Sequence, residues 1–159
     1  MSPDDLVDHF QSAWSGKDES AFAAVCAPDV HYEDPMTTEP LEGPAALGAH
    51  AARLWQAFPD ARMERIGERL TDGRYLAAPV KLLATHRGDV EDFPPTGRFV
   101  IVQGVFYCEL DEARTRLWRV RAFFDLYDAA IQLGVLPKPG SVGERALMLL
   151  RGFGLRAGS

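Results

Sequence analysis

Residues 75–86 have the sequence YLAAPVKLLATH, and this stretch decides the fold of the chain. From here on, apolar residues recur at every second position. This alternation is typical of a β-strand with one buried face, and it places on that face Leu76, Ala78, Val80, Leu82, Ala84 and His86. The turn Thr71-Asp72-Gly73-Arg74 joins this strand to a weakly patterned one over residues 61–71. Residues 98–110 and 114–124 predict two further strands, so the second half of the chain is a run of antiparallel strands.

Helical signals dominate the chain before this run of strands. Ser2 is a good N-cap and Pro3 suits the first helical position, so a helix begins there, with an apolar face formed by Leu6, Phe10, Ala13 and Trp14. A second, short helix and then an extended segment over residues 30–34 follow. Gly43-Pro44 opens a third helix, whose apolar stripe consists of Leu47, Ala51, Leu54 and Phe58.

The order of these elements predicts the α+β class, with helices packed on one face of a cone-shaped, curved antiparallel sheet. A last helix is expected over residues 126–133. A curved sheet that helices close on one side leaves a concave interior, which is a natural pocket for a small molecule.

Composition narrows the class of protein further. The 159 residues are 47% apolar and carry a net charge of −6, which argues against a nucleic-acid-binding protein. No apolar run is long enough to span a membrane, and the acidic N-terminus does not resemble a signal peptide. Cys26 and Cys108 lack zinc-site spacing, so we expect no metal, two reduced cysteines and a cytoplasmic protein.

Four segments, in this order and spacing, resemble the nuclear-transport-factor-2-like (cystatin-like) superfamily and, within it, the SnoaL-type polyketide cyclase or ester cyclase branch. They are Ala27-Pro28-Asp29-Val30 with Glu33-Asp34-Pro35, Phe58-Pro59-Asp60, Pro95-Thr96-Gly97-Arg98, and Phe124-Asp125 with Gln132-Leu133-Gly134. The resemblance predicts a domain over residues 1–136. Residues 137–159 form a basic tail, which we expect to be helical and to pack on the body or on a partner.

The resemblance implies a cyclase that needs no cofactor, with Asp125 as acid and base. Removing a proton next to a carbonyl needs a base in a dry pocket, and a carboxylate at the end of a strand meets that need. Asp125 also fits an N-cap of the last helix. Asp34 resembles the catalytic base of the ketosteroid isomerases in the same superfamily, and it equally fits a local turn before Pro35.

Further residues are candidates for contact with the substrate. They lie on the predicted strands or at their ends, and they are Tyr32, His86, Gln103, Tyr107, Arg121 and Phe123. The cyclases commonly add a histidine on the long strand, and residues 98–110 contain none. The isomerases add a tyrosine on the first helix and a protonated aspartate on the long strand, and this sequence has neither there, so neither catalytic set is complete. His9 and His50 fall within predicted helices, where we expect surface or helix-packing roles.

These observations leave three hypotheses open. The first is a cofactor-independent cyclase or isomerase that acts on an apolar carbonyl compound. The second is a non-catalytic module that binds an apolar metabolite, and the third is a dimerisation domain. The resemblance also implies a homodimer, because the open sheet face of this superfamily often pairs.

Overall fold

The computed structural model describes residues 1–150 of the chain, and the end of the predicted tail helix, beyond residue 150, lies outside them. The described residues form five α-helices: α1 (Pro3–Gly16), α2 (Phe22–Val25), α3 (Pro44–Ala57), α4 (Leu126–Gln132) and α5 (Val142–Leu150). Ser2 caps α1 through a reciprocal pair of bonds with Asp5, as its sequence predicts. Gly43 precedes α3 with a φ of 83°, a conformation that glycine adopts without strain.

Seven strands form one curved sheet that does not close into a barrel. They are β1 (Cys26–Glu33), β2 (Leu41–Glu42), β3 (Arg62–Arg65), β4 (Leu70–Thr71), β5 (Tyr75–Thr85), β6 (Phe99–Leu110) and β7 (Leu117–Phe124). The order across the sheet is β2-β1-β7-β6-β5-β3, and β4 pairs separately with β5. The predicted α+β class is confirmed. The sheet is antiparallel except where β1 runs parallel to β7.

Strand β1 begins earlier than its sequence predicts. The extended segment was expected to start at Val30, whereas β1 starts at Cys26 and contains Pro28. Its register with β7 shifts between Cys26 and His31, so Pro28 lies in an irregular stretch where its missing N–H removes no regular ladder bond.

The core lies between the concave face of the sheet and helices α1 to α3. Phe10 of α1 is fully buried, and its ring contacts those of Phe22 and Phe106 edge-on, with centroids 5.6 and 5.2 Å apart. Phe106 and Ala78 pair across β5 and β6 and are both fully buried. The predicted inward face of β5 is therefore confirmed, and it sets the inward face of β6.

A bulge at Trp118 decides which residues of β7 face inward. Leu117 pairs with Leu110 and Arg119 with Glu109, so β7 holds one residue more than β6 at this point. Leu117 and Val120 are both buried as a result. Before the bulge the odd-numbered residue faces inward, and after it the even-numbered residues do. Side chains that simple alternation from Leu117 would turn inward face outward instead.

None of the residues of helix α5 is buried. Leu147 is half-buried, and the other large apolar residues of the helix are exposed, namely Val142, Met148, Leu149 and Leu150. The helical character of the tail holds as far as residue 150, and its packing on the body or on a partner stays a prediction.

We predict that Phe106→Ala lowers the free energy of unfolding by about 3–5 kcal/mol, because it empties the space between α1 and the sheet. Leu70→Ala is the matched control, since Leu70 is 73% exposed and should change stability by less than about 1 kcal/mol. Urea unfolding of both variants measures the difference. Equal effects would contradict this assignment of the core.

Candidate active site

The concave face of the sheet and the helices enclose a cavity of about 390 Å³. Its wall is mostly apolar and rich in aromatic side chains, which are Trp14, Tyr32, Trp55, Phe58, Phe93 and Phe124. The charged side chains of Arg62 and Glu91 also line it, and both residues are exposed. The cavity therefore suits a flat, largely apolar molecule.

Asp34 is a buried carboxylate on this wall. It follows the end of β1, and its side chain is 6% exposed. Its Oδ1 accepts hydrogen bonds from the backbone N–H groups of Met36 and Thr37, at 2.7 and 3.1 Å. The local turn that the sequence allows for Asp34 is thus present, and it fixes the carboxylate where the chain leaves the sheet.

The second oxygen of Asp34 accepts two side-chain hydrogen bonds. The Tyr32 hydroxyl donates to Oδ2 at 2.9 Å, and Nε2 of His50 lies 2.7 Å from the same oxygen. Tyr32 is 1% exposed and lies two residues earlier on β1, while His50 is 5% exposed and comes from the middle of α3. The three side chains form a network that joins the sheet to α3.

Burial and hydrogen bonding act in opposite directions on Asp34. Burial raises the pKa of its carboxyl, whereas the hydrogen bonds from His50, Met36 and Tyr32 lower it. The hydrogen bonds have the larger combined effect, so the pKa lies below 3.8. Burial and the charge of Asp34 raise the pKa of Tyr32 well above its usual range. At neutral pH, Asp34 is therefore ionised and Tyr32 keeps its proton.

Asp125 lies outside this network and outside the lining of the cavity. It is exposed, and its side chain accepts a hydrogen bond from the backbone N–H of Asp128 at 2.9 Å as the N-cap of α4. Its neighbours Phe124 and Leu126 do line the cavity. The helix-cap alternative is therefore present in the structure, and the role of Asp125 as a base stays a prediction.

Four of the proposed substrate contacts lie on the outer face of the sheet, away from the cavity. They are Gln103, Tyr107, Arg121 and Phe123, all of them exposed. Arg121 pairs with Glu33 at 3.0 Å. We expected these four side chains in the pocket, and the structure places them on the opposite face of the sheet. The pairing of Leu82 with Val102 and the bulge at Trp118 together turn them outward.

His86 is fully buried behind the cavity wall and not at its rim. Its ring lies between those of Phe58 and Phe93, with centroids 5.3 and 5.8 Å away. The backbone N–H of Thr96 donates to Nδ1 of His86 at 3.2 Å. The histidine thus supports two aromatic residues that line the cavity, and the wall itself does not include it.

His50 is the residue of this network that sequence reasoning missed. We expected a surface or helix-packing role, although His50 follows Leu47 by three residues and precedes Leu54 by four. That spacing puts it on the buried stripe of α3. A histidine on a buried stripe requires a polar partner, and this signal could have linked it to one of the carboxylates.

Among residues 1–150, no group of three or more His, Cys, Asp or Glu side chains is placed to hold a metal ion. Over the same part of the chain, no helix has both the length and the apolar character needed to cross a membrane.

Comparison with known proteins gives a consistent result. The family model of SnoaL-like polyketide cyclases matches residues 4–133. A protein from Jannaschia sp. CCS1, named as a candidate SnoaL-like polyketide cyclase, superposes with a TM-score of 0.73 at 19% identity, over 86% of this chain and 98% of its own. A candidate polyketide cyclase from Acidithiobacillus ferrooxidans gives 0.69 at 25% identity, over 82% and 93%.

A third solved structure shares the fold. It is a protein with a ketosteroid isomerase-like fold from Catenulispora acidiphila, in complex with trimethylamine, with a TM-score of 0.70 at 15% identity, over 84% of this chain and 95% of its own. No curated protein sequence matches the chain.

We predict that Tyr32→Phe lowers the free energy of unfolding at pH 7 by about 1.5–3 kcal/mol, because it removes a hydrogen bond to a buried, ionised carboxylate. The pKa of Asp34 is depressed in the folded state, so its contribution to stability is present above 3.8 and is lost as the pH falls through the folded value. The deficit should therefore shrink as the pH falls below 3.8 and through the folded value.

Tyr127→Phe is the matched control for this prediction, because Tyr127 is 55% exposed and the same hydroxyl is removed there from the surface. Urea unfolding of both variants at pH 7 and at a series of pH values below 3.8 provides the measurement. A Tyr32→Phe deficit that does not change with pH would show that the ionised state of Asp34 does not depend on this hydrogen bond.

Proposed function

Because this chain belongs to the SnoaL-like polyketide cyclase family, we propose that it binds a neutral, apolar carbonyl compound in the cavity and catalyses a ring closure or an isomerisation without a cofactor. In this proposal the carboxylate of Asp34 is the base. The observation that carries it is an ionised carboxylate, 6% exposed, on the wall of a mostly apolar cavity.

The proposed reaction begins with proton transfer from carbon to Asp34. The carboxylate takes a proton from the carbon next to the carbonyl, and the electron pair of the C–H bond moves to form an enolate. In a ring closure, the enolate carbon attacks a second carbonyl of the same molecule, and the proton returns from Asp34 to the alkoxide that forms. In an isomerisation, the proton returns to a different carbon. Both routes restore the carboxylate.

The lowered pKa of Asp34 restricts the substrates that this base can use. A carboxylate with a low pKa is a weak base, so it removes a proton only from an acidic C–H group. A carbon between two carbonyls, or between a carbonyl and an aromatic ring, has such a group. The two negative charges of Asp34 and Glu91 outnumber the positive charge of Arg62 on the wall, which disfavours anionic ligands. The proposed substrate is therefore neutral and doubly activated.

One observation favours the second candidate, a module that binds an apolar metabolite without transforming it. Four donors already occupy the two oxygens of Asp34, which leaves little capacity for a substrate proton. For catalysis, one of these four hydrogen bonds to Asp34 must break when the carboxylate takes up the substrate proton. Binding alone makes no such demand, so a direct test of proton transfer separates the two functions.

We predict that the protein accelerates exchange of deuterium from D₂O into C1 of 2-tetralone, a neutral ketone whose C1 lies between a carbonyl and an aromatic ring. Asp34→Asn should lower the rate by about 100-fold or more, the scale of a lost general base. Asp125→Asn is the matched control and should keep the rate, because Asn also serves as an N-cap. NMR of the ketone measures the exchange.

The wild-type pH profile supplies a second test that does not require Asp34→Asn to fold. Since the pKa of Asp34 lies below 3.8, the enzymatic rate should stay constant from pH 7 down to about that value and fall only below it. Loss of exchange in Asp125→Asn but not in Asp34→Asn would move the base to Asp125. Absence of exchange with tight ketone binding would favour the binding module.

The proposed assembly is a homodimer formed through the outer face of the sheet. This face carries large apolar side chains that are partly exposed, namely Tyr75, Phe99, Ile101, Tyr107 and Phe123. It also holds charges of both signs, among them Arg121 and Glu109. A surface with apolar residues and both charges can pair with its own copy about a two-fold axis.

We predict that Tyr107→Glu converts this dimer to a monomer, because it places a charge in the middle of the apolar face. Tyr127→Glu is the matched control, since Tyr127 is 55% exposed and lies on α4, outside the sheet. Sedimentation velocity of the wild type and both variants gives the oligomeric state. A wild type that sediments as a monomer would contradict the proposed assembly.

A further inference from the structure

Helix α5 carries an apolar stripe that residues 1–150 leave exposed. Val142, Ala146, Leu149 and Leu150 fall at positions i, i+4, i+7 and i+8, which share one face of a helix, and all four are exposed. Val142 is 82% exposed and Leu150 is 86% exposed. Because a valine or leucine gains about 1.5–3 kcal/mol from full burial, this stripe favours contact with an apolar surface.

The segment that contains this helix is basic, whereas the rest of the chain is acidic. The net charge is −6 for the whole chain and +3 for residues 138–159, so the remainder carries −9. Lys138 and Arg145 are exposed. The single acidic residue of the segment, Glu144, is half-buried, and its carboxylate accepts the backbone N–H of Gly140. Exposed apolar and exposed basic side chains therefore occur together here.

We propose that α5 lies on an anionic lipid surface. The apolar stripe enters the boundary between headgroups and acyl chains, and the basic side chains pair with lipid phosphates. A helix of nine residues is too short to cross a bilayer, so it rests in the plane of the surface. The same surface repels the acidic remainder of the chain, so the contact is confined to the tail and is reversible.

A protein partner fits this helix less well than a lipid surface does. A specific protein interface buries about 800 Å² on each side, from roughly 20–30 residues, and one face of a nine-residue helix offers far less. The central strands of the outer sheet face, β6 and β7, carry Arg119 and Arg121 against Glu109. That face of a second copy is therefore no acidic counterpart for a basic helix.

The position of α5 in the chain connects the lipid contact with the cavity. Val135 lines the cavity, and α5 begins seven residues later, so at most about 25 Å of chain separates them. A docked α5 thus holds the cavity near a bilayer, in which apolar compounds concentrate. This consequence rests on the proposed binding of an apolar ligand, whereas the lipid contact itself does not.

Flotation of the full chain with lipid vesicles tests the proposal. We expect the wild type to float with vesicles of three parts phosphatidylcholine to one part phosphatidylglycerol, and to stay unbound with phosphatidylcholine alone. Salt at about 0.5 M should release it, because ions screen the attraction between the basic side chains and the lipid. The bound fraction, measured against lipid concentration, gives the affinity.

Two neighbouring residues of α5 supply a matched pair of variants. Leu149 and Met148 are both 52% exposed, but only Leu149 belongs to the apolar stripe, and Met148 lies on the other side of the helix. Leu149→Gln should weaken binding to the anionic vesicles by about tenfold, the effect of losing one buried leucine. Met148→Gln should keep the wild-type affinity. Glutamine is a good helix former, and both positions are exposed, so both variants should fold.

Three outcomes would overturn the proposal. They are a wild type that does not float with the anionic vesicles, equal binding to both kinds of vesicle, and equal losses of affinity in the two variants. Sedimentation velocity adds a further distinction, because a change of oligomeric state in Leu149→Gln without vesicle binding would place a second copy on the stripe. Deuterium exchange tests Asp34 separately, so the lipid contact and the proposed function can fail independently.

Discussion

The burial of one face of β5, β6 and β7 is the constraint on which the rest of the molecule depends. Phe106 on that face meets Phe10 of α1, and this contact fixes which side of the sheet the helices cover. The bulge at Trp118 then decides which residues of β7 share that side. This alternation determines which strand residues line the cavity. A shift of the register by one residue would turn those residues outward and bring the residues of the present outer face into the cavity.

The sequence predicts the concave face of β5 and the order of the elements, because both depend on local periodicity. It does not predict the inward residues of β7, since the single extra residue at Trp118 leaves no local signal and appears only in the pairing with Leu110 and Glu109. Gln103 and Tyr107 were expected in the pocket for their chemistry alone. The register with β5 turns them outward, and that register is a long-range property of the folded chain.

The Asp34 network shows a second limit of sequence reasoning. Asp34 and Tyr32 share a face of β1 by simple alternation, and sequence predicts both as candidates. His50 comes from α3, sixteen residues along the chain, and its contact with Asp34 requires the sheet and the helix to be docked. The spacing of His50 on the buried stripe of α3 places it inside the protein, but only tertiary structure supplies its partner.

The two demands on Asp34 conflict, and the conflict explains the chemistry that the cavity can support. A charge buried in an apolar wall must be compensated, and four hydrogen bonds provide that compensation. Each of those bonds also lowers the basicity of the carboxylate, so stability of the site is gained at the expense of driving force for proton removal. A site of this kind cannot force a proton from an ordinary ketone. In the proposed reaction, the ligand supplies part of the activation, and any donor that stabilises the enolate supplies the remainder.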